Sequence, residues 1–192
     1  EATEQPVWTK ILIPVLLVTI SAAMLCARDA GGGKGGSAGG RPTAADVERS
    51  IQSKGAKATL GVLTGDQAKW DKITDEMAKG SEEWLKVLRD LYKDADGGVA
   101  VDLGIASAEA LAASPTTVFE ILEPSMGLEI LCNNDSSVGT NLKRALQLID
   151  ARRSAVKRVH DDKLTQKRDK CLAMLDELEK AMRASKERGD IE

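Results

Sequence analysis

Few residues in this chain have a type and spacing that does chemistry: one histidine, three cysteines, a glycine-lysine run, a group of aspartates and one basic stretch. The single histidine, His160, rules out a histidine-rich metal site and leaves one base for a Cys–His nucleophile. Asp161 and Asp162 follow it at a helix junction, where a histidine faces water or caps the preceding helix. The nucleophile would also need a thiolate of low pKa, whereas Cys132 and Cys171 fall on apolar helical positions that favour the neutral thiol. The run Gly31-Gly-Gly-Lys-Gly-Gly36 has the composition of a phosphate loop, but no strand precedes it and no helix follows at once, so it reads as a linker. Asp94, Asp96 and Asp102 lack the twelfth-position Glu and the regular ligand spacing of a calcium loop, and read as solvated carboxylates. The chain is thus read as a non-enzyme, with no catalytic, cofactor-binding or metal-binding residue and no small-molecule ligand. The remaining feature is the basic stretch from Arg144 to Lys170, where Arg152, Arg153, Lys157 and Arg158 recur at helical spacing. No aromatic is interleaved for base stacking, which argues against nucleic acid. The four read as a solvated face docked against an acidic half, or as a surface for anionic lipid or an acidic protein.

The elements that must carry these residues are helical. Only five of 192 residues are aromatic, so a core must come mainly from Leu, Val, Ile, Ala and Met, a palette suited to helix-on-helix packing. The net charge of −3 is small but unevenly placed: 15 acids against 6 bases from Asp66 to Asp135, and 4 acids against 10 bases from Lys143 to Lys170.

Residues 1–29 read as an N-terminal membrane anchor. Ile11 to Ala27 is an uncharged apolar run between Lys10 and Arg28, at the short end of what spans a bilayer. Retention is favoured over cleavage near Ser21-Ala22-Ala23, and lipidation at Cys26 is discounted because Leu25 and Met24 precede it. Residues 30–42 are a Gly-rich flexible linker, whose glycine-rich core spans about 15–20 Å. Residues 43–192 form the folded domain. Orientation is set by two opposed signals. The positive-inside count favours the cytoplasmic face, whereas an even cysteine pair in a small domain favours an oxidising compartment. Two independent buried thiols are the alternative to a bridge. The reading taken is the inner membrane with the domain facing the periplasm; release into the periplasm after cleavage is the other alternative.

Within the domain, Ala44 to Lys54 and Lys57 to Leu63 read as short helices broken at Gly55. Thr64 and Gln67 have the form of a capping box. Trp70, Ile73, Thr74 and Met77 then give one apolar face, closed by Gly80 in the left-handed conformation. Ser81 caps a helix with Trp84, Leu85, Leu88, Leu91 and Tyr92 on its stripe, making a tight antiparallel pair with the one before. Val99 to Ala113 is an alanine-rich helix, and Ser114-Pro115 starts another, ended by Pro124. A short helix from Ser125 to Cys132 leads to a turn at 133–137. Two longer helices, about Gly139 to His160 and Lys163 to Glu187, form a C-terminal hairpin with Cys171 facing inward. A Cys132–Cys171 bridge would close a loop of about 40 residues and add roughly 3–4 kcal/mol. The fold class is all-α: antiparallel helix pairs stacked as a small solenoid-like bundle, after an N-terminal transmembrane or signal helix.

The stretch from Trp70 to Cys132, with Trp70, Ile73, Gly80-Ser81, Trp84-Leu85, Leu91, Asp94-Ala-Asp96, Ala110-Leu111, Pro115, Val118 and Cys132, resembles exported all-helical proteins of unknown function from Gram-negative bacteria. It covers about a third of the chain and is mostly helix architecture. The resemblance implies periplasmic exposure and a second cysteine in the final helix, a place Cys171 would fill, and it implies no activity. The functional expectation is a membrane-tethered envelope protein, held in the membrane by residues 11–27, acting as a protein-interaction module. The alternatives are a toxin-immunity protein, a structural role at the membrane surface, and an envelope enzyme using carboxylates only.

Overall fold

The computed structural model describes residues 42–134 and 142–188. The proposed anchor and nearly all of the linker lie outside these residues. No described helix is long and apolar enough to cross a membrane. Nine α-helices make up the described residues, with no strand among them.

Helix α1 (Ala44–Lys54) opens with a capping box that the sequence reading did not name. The Thr43 hydroxyl accepts from the Asp46 amide at 3.2 Å, and Asp46 accepts from the Thr43 amide at 3.2 Å. Gly55, at φ +83, separates α1 from α2 (Ala56–Thr64), as its sequence position predicts. The box expected at Thr64 does not form. Thr64 belongs to the last turn of α2, its hydroxyl donates to the Leu60 carbonyl at 2.9 Å, and the cap of α3 (Gln67–Ala78) is Asp66, which accepts from the Lys69 amide. Asp66 prevails because it sits one residue before the helix, where a carboxylate reaches the free amides of the first turn.

Helix α3 buries Trp70, Ile73 and Met77, and α4 (Glu82–Tyr92) buries Trp84, Leu85, Val87, Leu88 and Leu91. They touch, but α3 packs chiefly on α5 (Gly97–Ala113) rather than forming a tight pair with α4. The Trp70 indole N–H donates to Asp102 of α5 at 2.8 Å, so that contact satisfies the polar atom of a tryptophan only 2% exposed. Helix α5 also packs against α4, α6 (Pro115–Ile121), α7 (Glu123–Cys132) and α8 (Leu142–Val156). This departs from the expected solenoid, in which each pair meets only its neighbours. The reason lies in the α5 sequence: Gly104, Ala106, Ser107, Ala108 and Ala110 are all buried, and small side chains let helices approach on several sides at once.

Helix α7 begins at Glu123, two residues earlier than the sequence suggests, because Pro124 at a first-turn position needs no amide hydrogen bond. Gly127, at φ +76, bends it. The hairpin of α8 and α9 (Thr165–Glu187) is present, joined through a 3-10 turn at Asp162–Leu164. Its strands of chain run antiparallel: Arg153 meets Asp176 and Glu179, while Arg168, farther back on α9, donates to the Val159 carbonyl. Helix α8 stops at Val156, short of His160. Of the turn expected at 133–137, only Asn133 and Asn134 are among the described residues.

Gly80 follows α3 at φ +74, and a Cβ there would lie 3.0 Å from both Ser114 Cβ and Oγ. Gly80→Ala is expected to lose about 1–2 kcal/mol from the left-handed backbone alone, more with the contact, measured as a lowered urea midpoint at unchanged slope.

Candidate interaction surface

The expected cysteine pair is joined. Cys132, the last residue of α7, and Cys171 on α9 form a disulfide with Cα atoms 5.4 Å apart, and both residues are fully buried. One turn before Cys171, the Lys167 ammonium donates to the Glu123 carboxylate at 2.5 Å and the Phe119 carbonyl at 3.4 Å. The same face of α9 therefore holds α7 by a covalent bond and an ion pair and reaches α6 through the Phe119 carbonyl. With no sulfur exposed, a thiolate has no line of attack on the closed structure, which makes this bridge structural.

The four basic residues do not form one surface. Arg152 is only 3% exposed, and its guanidinium donates to the carbonyls of Leu148 at 3.4 Å and Asn134 at 3.2 Å. It continues the buried series Ala145, Ile149, Val156 at helical spacing, a position that the sequence pattern itself assigns to the core. Arg153 is half-buried within the hairpin, donating to Asp150, Asp176 and Glu179 at 2.6, 3.0 and 2.5 Å. Lys157 and Arg158 are exposed, and Arg158 donates to the Ser154 carbonyl. Of the four, Arg152 and Arg153 are thus taken up by the hairpin and its junction, while Lys167 pairs with Glu123 of the first half. His160 is exposed at the end of α8, as its junction position suggests.

The aspartates are dispersed. Asp94 and Asp96 are exposed before α5, while Asp102 is engaged by Trp70. Among the described residues no group of three or more His, Cys, Asp or Glu is placed to hold a metal, and no Asp or Glu is buried. The displaced acids move downward. The Thr43 hydroxyl lowers Asp46, the Arg89 guanidinium lowers Asp90, and Arg183, then Arg153, lower Glu179. None of these is the desolvated, raised carboxyl that a general acid uses.

Two open cavities flank α5. One, of about 350 Å³, lies between α5 and α7, walled by Tyr92, Ala100, Val101 and Ile130 over Gly104. A Cβ at Gly104 would stand 2.7 Å from the Asn134 side-chain nitrogen, which would have to swing away. The other, of about 210 Å³, lies between α3 and α5 and is lined by Asp71, Asp75, Asp102 and Glu109, with Ile105. Val101 is 58% exposed and, with Val62, is one of two large apolar side chains left so among the described residues. Every charged side chain of α5, α6 and α7 is acidic, since no Lys or Arg occurs between Lys93 and Lys143. Counting acids over the first half conceals that run; locating where the bases stop reveals it.

Two outcomes follow from these ties. Reduction under denaturing conditions, or the Cys132→Ala/Cys171→Ala pair, is expected to cost about 3–4 kcal/mol of stability by loss of loop constraint, read from urea unfolding of oxidised and reduced protein. The lowered Glu179 carboxyl binds fewer protons folded than unfolded. Its contribution is therefore present above the ordinary glutamate range near 4.3 and lost as pH falls through the lower folded value. The urea midpoint should drop between about pH 5 and pH 3, and less steeply in Glu179→Gln. In comparisons with known proteins, no family model, no curated protein and no solved structure matches the chain.

Proposed function

We propose that this chain is a membrane-tethered envelope protein whose helical domain binds another protein through the outer face of α5, as a module without catalysis. The observation that carries the reading is the largely apolar cavity beside Gly104, with exposed Val101 on its wall, on helices α5 and α7 whose charged side chains are all acidic. A groove of this kind receives side chains of a partner helix, whereas isolated exposed apolar residues need no explanation. Support for the tether comes from the uncharged run of residues 11–27 and the glycine-rich stretch behind it. The buried disulfide and the resemblance to exported helical proteins of Gram-negative bacteria support the periplasmic side. Lys157 and Arg158, the exposed pair among the four basic residues singled out, would add only about 1 kcal/mol each at an anionic membrane, which makes that surface the weaker basis for a function.

The test is a photo-crosslinking amino acid placed at Val101 or at Val62 in the full chain, in the cells it comes from. A discrete adduct from position 101 and none from 62 is the expected result. Equal adducts from the two positions, or none from either, would remove the reading.

A further inference from the structure

Resting on the reading of α5 as the binding face, we infer that the segment docking there is a basic amphipathic helix, with an apolar side chain seated against Val101 and Ile130 and Lys or Arg side chains reaching Asp102, Asp75 and Glu109. On α5, Val101 and Ile105 are one turn apart, and Asp102 and Glu109 lie one step round the helix from them. The apolar wall of one cavity therefore passes directly into the acidic lining of the other, with α5 as their common ridge. From Val101 to Glu109 the ridge runs about 12 Å along the axis, the length of roughly two helical turns.

Four acids meet at this face. Among the described residues Asp75, Asp102 and Glu109 form no ion pair, and with Asp71 they line one cavity, whereas Asp90, Asp150, Asp176 and Glu179 are paired internally. Asp102 accepts the Trp70 indole N–H at one oxygen and keeps further lone pairs for a second donor. On the α3 side Lys72 and Lys79 line a cavity together with Asp75, Glu76 and Glu109, and Lys79 is held by Glu76, so the partner's cations belong toward Asp102. A helix suits the site better than a strand, because the described residues present no sheet edge to extend and the cavity walls are mostly helices.

The experiment uses the same photo-crosslinker at Val101 in the full chain and reads the sequence of the attached segment by mass spectrometry. The expected segment carries at least two Lys or Arg within about two turns of the attached residue and has a positive net charge. Asp75→Lys with Glu109→Lys, both on exposed or half-exposed side chains, should cut the adduct yield at least tenfold, while Glu177→Lys on the far hairpin leaves it unchanged. An adduct to a neutral or acidic segment, to a second copy of this chain, or one that survives the double reversal overturns the basic-helix inference while leaving α5 as a binding face. No adduct at all overturns both.

Discussion

The close approach of helices to α5 is the constraint from which the rest of the domain follows. A helix lined with Gly104, Ala106, Ser107, Ala108 and Ala110 contributes little bulk of its own, so its neighbours can come near, and they must supply the volume. Trp70, Phe119, Leu85 and Leu88 do so, all at 2% exposure or less. Ser107 is tolerated in this dense centre because its hydroxyl returns to the Gly104 carbonyl at 2.7 Å, leaving no unmet donor. The same economy of side chains leaves α5 thin where Ala100 and Gly104 face Ile130, and there the cavity remains. Core packing and candidate binding face are two consequences of one residue pattern.

The second organising tie is between the C-terminal hairpin and the rest. Lys167 and Cys171, four residues apart, reach Glu123 and Cys132 on α7, while Arg152 on the other arm holds the Asn134 carbonyl just beyond Cys132. A buried guanidinium is costly unless its donors are met, and main-chain carbonyls left over at a helix end are suitable acceptors. The covalent, ionic and main-chain ties converge on the end of α7. This explains why the charged Arg168 interrupts the α9 stripe: it donates to the Val159 carbonyl where α8 has already ended, so its position serves the junction.

Much of the helical layout was legible because it rests on local rules. The break at Gly55, the left-handed Gly80, the buried stripes of α3 and α4 and Pro115 at the head of α6 follow from backbone freedom and periodicity alone. The solenoid was not legible in the same way. Pairing neighbours along the chain is the simplest guess for consecutive helices, whereas the preference of α3 for α5 depends on small residues thirty positions away. Thr64 misled because it and Asp66 are both good caps, and only the end of α2 decides between them. Arg152 misled because its charge outweighed its register. Set beside Ala145, Ile149 and Val156, its place in the stripe was visible in the sequence, and a long side chain can bury its stem while its head finds carbonyls. The cavities on α5 had no local signature, since they arise from three helices meeting, although the absence of bases from 94 to 142 marked the surface around them.

The α5 face joins apolar exposure to acidic charge. Across the described residues buried side-chain nitrogens and oxygens all have partners, and many surface acids sit beside a base three or four residues away. Such pairs are worth little to stability, yet they leave the surface electrically quiet. On α5 the exposed Val101 and half-buried Ile105 adjoin carboxylates that form no ion pair among the described residues, and apart from the Trp70–Asp102 hydrogen bond this arrangement contributes nothing evident to the fold. Val101 gains little by being where it is, and Asp75 and Glu109 stand on the walls of one cleft without an ion pair among the described residues. A partner bringing apolar surface and positive charge would relieve both, drawing steering from the charge and dwell time from the burial.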